Sequence, residues 1–136
     1  MHIYFAASIA GGRDYLPTYT RMVEFLKADG HRVLTEHIIA PDVLRQEQPF
    51  TARQIYERDA AWLEGCDCVV AEISNPSLGV GYEICYALDR GKPILCLHAR
   101  GLFVSRMITG ISRPGLIIKA YGAEAEWREQ IAAFLA

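Results

Sequence analysis

The sequence predicts an α/β protein, a three-layer sandwich built on a five-stranded, mainly parallel, doubly wound sheet. Three observations carry that expectation. Short apolar runs alternate with amphipathic stretches along the whole chain, the mark of parallel strands joined by crossover helices. Glycines and prolines punctuate the changes from one to the next. No internal repeat or low-complexity segment breaks the pattern.

His2–Ala6 reads as the first strand. Residues 19–29 read as a helix, with Met22, Val23, Phe25 and Leu26 forming its stripe and Gly30 its stop. Residues 32–35 read as a second strand, and 38–50, holding Pro41 and Pro49, as a loop with at most a short helical turn. Thr51 caps a helix reaching about Glu64 and closed by Gly65. Residues 67–73 form a third strand, 79–90 a helix and 93–97 a fourth strand. A short helix over 103–109, a fifth strand over 115–119 and a closing helix over 124–135 complete the order. That order is of the flavodoxin or Rossmann kind, where ligands bind beyond the carboxyl ends of the strands at the topological switch point.

Length and composition set the bounds. A chain of 136 residues fits one domain, taken as 1–136, on a prior of roughly 100–200 residues per domain. Hydrophobic residues at 51% and charged residues at 22% exclude disorder and fibrous repeats. Fourteen basic and 16 acidic side chains leave a formal charge of −2, without the basic excess that a nucleic-acid polymer or an anionic membrane calls for. The longest apolar stretches, such as 84–88, fall far short of the ~18 residues of a membrane span. Absence of a basic, cleavable leader makes a cytoplasmic location the expectation.

The four cysteines contain no C-x-x-C, and the four histidines supply no second ligand pair, so neither a metal nor another cofactor is expected. Cys66 and Cys68 are expected on one face at the start of the third strand, and all four thiols are read as free and buried.

Three loops should hold the chemistry: 7–14, 35–39 and 74–83. The first, running Ala7, Ser8, Ile9, Ala10, Gly11, Gly12, Arg13, exposes backbone amides that can cradle an anion. It is neither G-x-G-x-x-G nor a P-loop, and a plain glycine turn stays open as its reading. On the 51–64 helix, Asp59 falls inside the stripe of Ala52, Ile55, Tyr56, Trp62 and Leu63. A carboxylate there either caps a neighbouring loop or lines a cleft. In the run from Asn75 to Glu83, Gly79 and Gly81 are read as a tight turn off the third strand. Glu83 then sits in the first turn of the next helix, where the macrodipole favours its ionised form. Such a residue is a nucleophile or simply complements the dipole. Tyr4 either reaches the same cleft or is a core tyrosine. Two carboxylates in unequal environments beside an anion loop are how glycosyl transfer is run, one attacking C1 of the sugar and the other managing the leaving group.

The segments 4–13, Leu34-Thr35-Glu36-His37, Asp59-Ala60-Ala61-Trp62-Leu63, P-S-L-G-V-G-Y-E ending at Glu83, and G-K-P-I-L-C-L from Gly91 occur in one order. Together they resemble the 2′-deoxynucleoside 5′-phosphate N-hydrolases, within the nucleoside 2-deoxyribosyltransferase superfamily, over residues 3 to about 121. The resemblance implies that Glu83 attacks C1′, that Asp59 assists departure of the base and that Tyr4 orients Glu83. It implies a 5′-phosphate site from Ser77, Ser8 and the backbone of Ile9, Ala10 and Gly11, with Ala7, Arg13, Gly79 and Gly81 also binding substrate. Ser105 would join that site from the neighbouring subunit of a homodimer, and His37 would lie near the base. The transferase branch carries an acidic residue where Ser77 stands, and a serine can donate to a phosphate that a carboxylate repels. The implied substrate is therefore a nucleoside 5′-monophosphate, with water as acceptor. Ala7 and Ala10 stand where the family's phosphate loop has Gly and Arg, which leaves Arg13 or Arg106 to replace the lost cation. A transferase exchanging bases, an inactive nucleotide-binding module and a flavodoxin-like carrier remain as alternatives.

Overall fold

The structure is a computed structural model describing all 136 residues. Its sheet comprises β1 (His2–Ala7), β2 (Arg32–Val33), β3 (Cys68–Glu72), β4 (Ile94–Ala99) and β5 (Leu116–Tyr121). The strands lie in the order β2-β1-β3-β4-β5 and every pairing is parallel, so no antiparallel member makes the sheet mixed. The helices are α1 (Leu16–Ala28), α2 (Val43–Glu47), α3 (Ala52–Gly65), α4 (Leu78–Asp89), α5 (Arg106–Thr109) and α6 (Glu124–Leu135). None is long and apolar enough to cross a membrane.

Alternate residues of each central strand feed two cores, as the pleat requires. On one face Ile3, Phe5, Val70, Leu95 and Leu97 meet Tyr19, Met22, Val23 and Leu26 of α1 and Trp127 and Ile131 of α6. On the other Tyr4, Ala6, Val69, Ala71, Ile94 and Cys96 meet Leu63 of α3 and Val80, Ile84 and Ala87 of α4. Strand order reverses between β1 and β3, so the carboxyl ends of these two strands form the switch point.

Several boundaries differ from expectation for local reasons. Helix α1 begins at Leu16 because Pro17 sits in its first turn, where a missing N–H costs nothing. It ends where expected, with Gly30 at φ +82°. Strand β2 is only two residues long. Thr35 cuts it short: its hydroxyl accepts from Phe5 N (3.0 Å) and donates to Phe5 O (2.6 Å), taking both groups that further pairing would use. The segment read as a loop holds a 3-10 turn over Glu36–Ile39 and the helix α2. Thr51 caps α3 through a reciprocal box with Gln54.

Gly79 and Gly81 do not form the turn; both lie inside α4, which Ser77 starts by accepting from Val80 N at 3.3 Å. Cys66 and Cys68 are buried in opposite cores, because Cys66 precedes the strand and escapes its alternation. Cys96 is buried as expected, whereas Cys85 is exposed on the outer face of α4.

Candidate active site at the switch point

Tyr4 projects from the middle of β1 into the core shared with α3 and α4, and is 1% exposed. Its hydroxyl donates to Glu83 Oε1 at 2.7 Å. With α4 starting at Leu78, Glu83 falls in the second turn and not the first. Burial then dominates over the helix dipole: desolvation pushes the Glu83 carboxyl up to about 7, the Tyr4 hydrogen bond opposes that, and the Asp59 charge adds to it. Burial likewise raises the Tyr4 hydroxyl, reinforced by Glu83 and Asp59, so the phenol keeps its proton and acts as a donor.

Asp59 is half-buried, and only Leu63 of its supposed stripe is fully buried; Tyr56 is 50% exposed. The carboxylate therefore faces a cleft and not the core. That cleft, a cavity of about 160 Å³, is lined by Asp59, Glu83, Gly79, Tyr56 and Tyr82 among others. At Gly79 a Cβ would meet only Ser77 Oγ, at 3.9 Å, so the glycine leaves this wall bare. At Gly81 nothing lies within 4 Å.

The loop after β1 packs onto the loop after β3. A Cβ on Gly11 would stand 2.3 Å from Pro76 O and 2.8 Å from Ser8 Oγ, so only glycine permits this approach. Ala7 and Ser8 are buried, Ile9 packs against the core and Ala10 is exposed. The Ser8 hydroxyl and the Asn75 Nδ2 group are buried without partners. Ser77 uses an oxygen lone pair for its cap, which leaves its proton to donate. Arg13 does not replace the cation lost at Ala10. Its guanidinium is committed to three backbone carbonyls, Ser8 O (3.1 Å), Ile38 O (2.6 Å) and Ala40 O (3.1 Å), and clamps the loop to the 3-10 turn.

His37 lies on that turn, 5.6 Å from the Trp62 ring and with Nε2 3.4 Å from both Glu47 Oε1 and Arg58 Nη2. Burial, then the Arg58 charge, lowers its pKa and keeps the imidazole neutral. Together with Glu47, Phe50, Arg58 and Trp62 it lines a groove of about 670 Å³. Asp59 and Arg58, neighbours on α3, thus line one cavity each. The smaller one is lined by both carboxylates, Asp59 and Glu83.

Ser105 stands apart, exposed at the start of α5 with its hydroxyl accepting from Met107 N at 3.3 Å. Phe103 (77% exposed) and Met107 (82%) flank it. Arg106 is likewise exposed on α5.

Two groups escaped sequence reading. Glu72 ends β3 fully buried, accepting from Ser74 Oγ, Ser74 N (3.2 Å) and Tyr121 Oη (2.8 Å), and burial raises its pKa. Its signal was an acid within an otherwise apolar strand. Arg58 donates to Asp59 Oδ1 (2.8 Å) and Glu47 Oε1 (2.9 Å), a junction with no trace in the spacing.

Known proteins place this geometry. The sequence model of the family described as nucleoside 2-deoxyribosyltransferase matches residues 3–127. A Methanococcoides burtonii protein named "Putative 2'-deoxynucleoside 5'-phosphate N-hydrolase 1" is 40% identical over 122 residues, spanning 90% of this chain and all of that one. The mouse 5-hydroxymethyl-dUMP N-hydrolase is 47% identical over 112 residues, 79% of this chain and 64% of its own. Among solved structures, a Clostridium botulinum CMP N-glycosidase superposes with TM-score 0.69 at 21% identity, covering 97% of this chain and 99% of the other. A 2-deoxyribosyltransferase from Bacillus psychrosaccharolyticus gives 0.70 at 16% identity, covering 98% and 96%. These two share the fold. The family match, covering nearly the whole chain and both carboxylates, shows that this protein belongs to the nucleoside 2-deoxyribosyltransferase family.

Proposed function

We propose that this protein is a hydrolase cleaving the N-glycosidic bond of nucleoside 5′-monophosphates, 2′-deoxynucleotides included, to free base and sugar 5-phosphate. The observation that carries the reading is that Glu83, held from behind by the Tyr4 hydroxyl, lines one cavity together with Asp59. Relatives named as nucleotide N-hydrolases, at 40% and 47% identity, support it.

In this mechanism Glu83, ionised and oriented by Tyr4, attacks C1′ and forms a glycosyl ester. The N-glycosidic bond breaks, its electron pair leaves with the base, and Asp59, entering this step protonated, supplies the proton. Water then attacks C1′, giving its proton back to Asp59 and releasing Glu83. Ser77 donates to the 5′-phosphate, joined by Ser8 and the amides of Ile9–Gly11. Arg13 acts on this site only by fixing the loop. His37, neutral, faces the base.

The working unit in this reading is a homodimer, each chain one domain, with Ser105 completing the partner's phosphate site. Two observations support it. A cavity of about 160 Å³ is smaller than the ~300–1,000 Å³ of ordinary ligand pockets. Apolar side chains at and beside it lack cover: Tyr56 and Tyr82, which line it, are 50% and 53% exposed, and Leu78, next to Gly79, is 97% exposed. A cytoplasmic location accords with four unpaired thiols.

A transferase exchanging bases is the second reading, favoured by the family description. A panel of deoxynucleoside and ribonucleoside monophosphates, with and without a second free base, separates the two. Free base and sugar phosphate establish the hydrolase, and a nucleotide carrying the second base establishes the transferase. No product from any substrate refutes both.

A further inference from the structure

The one protein donor on the Asp59 carboxylate is Arg58, its neighbour in sequence. Adjacent residues on a helix normally point 100° apart and do not meet. Here the contact is imposed from outside. Arg58 lies with its guanidinium centre 4.8 Å from the ring centre of Trp62, one turn further along α3. Its Nη2 donates to Glu47 Oε1 at 2.9 Å, bringing in α2. The remaining edge of the fork donates through Nε to Asp59 Oδ1 at 2.8 Å. All three charged side chains are screened from solvent, at 25% exposure for Arg58, 24% for Asp59 and 15% for Glu47. Asp59 Oδ1 is thereby fixed, and Oδ2, which receives no protein donor, is left to the cavity.

We propose that Arg58 is a positioning residue for the reaction: held by Trp62 and Glu47, it turns the Asp59 carboxyl so that Oδ2 carries the proton to the departing base. Glu47 anchors that fork, which gives the short helix α2 a part in catalysis at one remove. The proposal rests on the reading of Asp59 given above. A planar, two-sided fork is what the arrangement uses, so lysine is a poor substitute.

The test is a cycle of Arg58→Ala and Asp59→Asn, with Arg58→Lys and Glu47→Gln beside it. Each is assayed for base release from deoxynucleoside monophosphates and unfolded in urea. Misorienting a proton donor by about an ångström costs up to ~100-fold, so Arg58→Ala should lower kcat by ~10–100-fold with KM little changed. Arg58→Lys should recover only part of that, and Glu47→Gln should fall between wild type and Arg58→Ala. In the Asp59→Asn background, Arg58→Ala should have no further effect on kcat. The urea cycle should show Arg58 and Asp59 coupled without any substrate present. Wild-type kcat in Arg58→Ala, multiplicative losses in the double variant, or no coupling in urea each overturn the role of Arg58 while leaving the hydrolase reading intact. A wild-type protein that releases no base overturns that reading, and the role of Arg58 with it.

Discussion

The hydroxyl of Tyr4 and the carboxylate of Glu83 meet at 2.7 Å across 79 positions of sequence, one from the middle of β1 and the other from the second turn of α4. The hydrogen bond sets two opposed influences on one group. Burial makes Glu83 a weaker acid, and Tyr4 partly restores its charge, as the proposed role of nucleophile requires.

Activity should therefore rise with pH as Glu83 ionises, with an apparent pKa near the value of about 7 that burial produces. Tyr4→Phe removes the one donor that favours the carboxylate. Its ascending limb should move to higher pH, and kcat at pH 7 should drop ~10-fold or more, as a full pH–rate profile of both proteins would show. An unmoved limb would mean that Tyr4 does not act through Glu83.

Glu83→Gln should abolish cleavage and yet stabilise the protein in alkali. Folding raises this carboxyl from its ordinary 4.5 to about 7, so the folded chain holds more protons than the unfolded one between those values. Stability accordingly falls as pH rises through that window and stays lower above it. Removing the charge should raise the unfolding free energy at pH 8 by an amount of order 1–3 kcal/mol, with little change at pH 4. Urea unfolding at the two pH values measures the difference.

Gly11→Ala should damage the phosphate site more than the fold. Its new Cβ meets the backbone carbonyl of Pro76, which cannot rotate away. The loops must part, at a cost of about 1–3 kcal/mol typical of overpacking. KM for monophosphates should rise at least ~5-fold, with kcat less affected, if loop amides hold the phosphate.

Ser105→Trp should leave the monomer folded, because the side chain it replaces is exposed. Activity should be lost through the neighbouring subunit. Mixing inactive Ser105→Trp with inactive Glu83→Ala is the decisive version. If sites are shared, mixed dimers regain one working site out of two; if each chain is self-sufficient, nothing returns.

Much of the fold was legible because parallel central strands are buried on both faces and read as continuous apolar runs, as β3 and β4 do. The places of Glu83, Tyr4 and the loop after β1 were legible from those strands, whereas Asp59 was read from a helix stripe of which only Leu63 is buried. Other features depended on tertiary partners. Helix α2 is five residues long and flanked by prolines, too short to show a period. The end of β2 is decided by the Thr35 side chain reaching Phe5, which no propensity encodes. Helix position, the only environment visible in the sequence, favours a charged Glu83; the desolvation that opposes this belongs to the packed protein. Arg13 looked like an anion ligand until three carbonyls claimed it.

The Thr35–Phe5 bridge has a consequence for association. An edge strand normally offers a row of free amides and carbonyls on which another chain can template itself. Here the last paired residue of β2 is followed at once by a side chain that closes the ladder, and the backbone turns away into the 3-10 segment. On this side only the two residues of β2 are left as an edge, and the Phe5 groups beyond it are already taken. An edge of two residues gives another chain little to pair with.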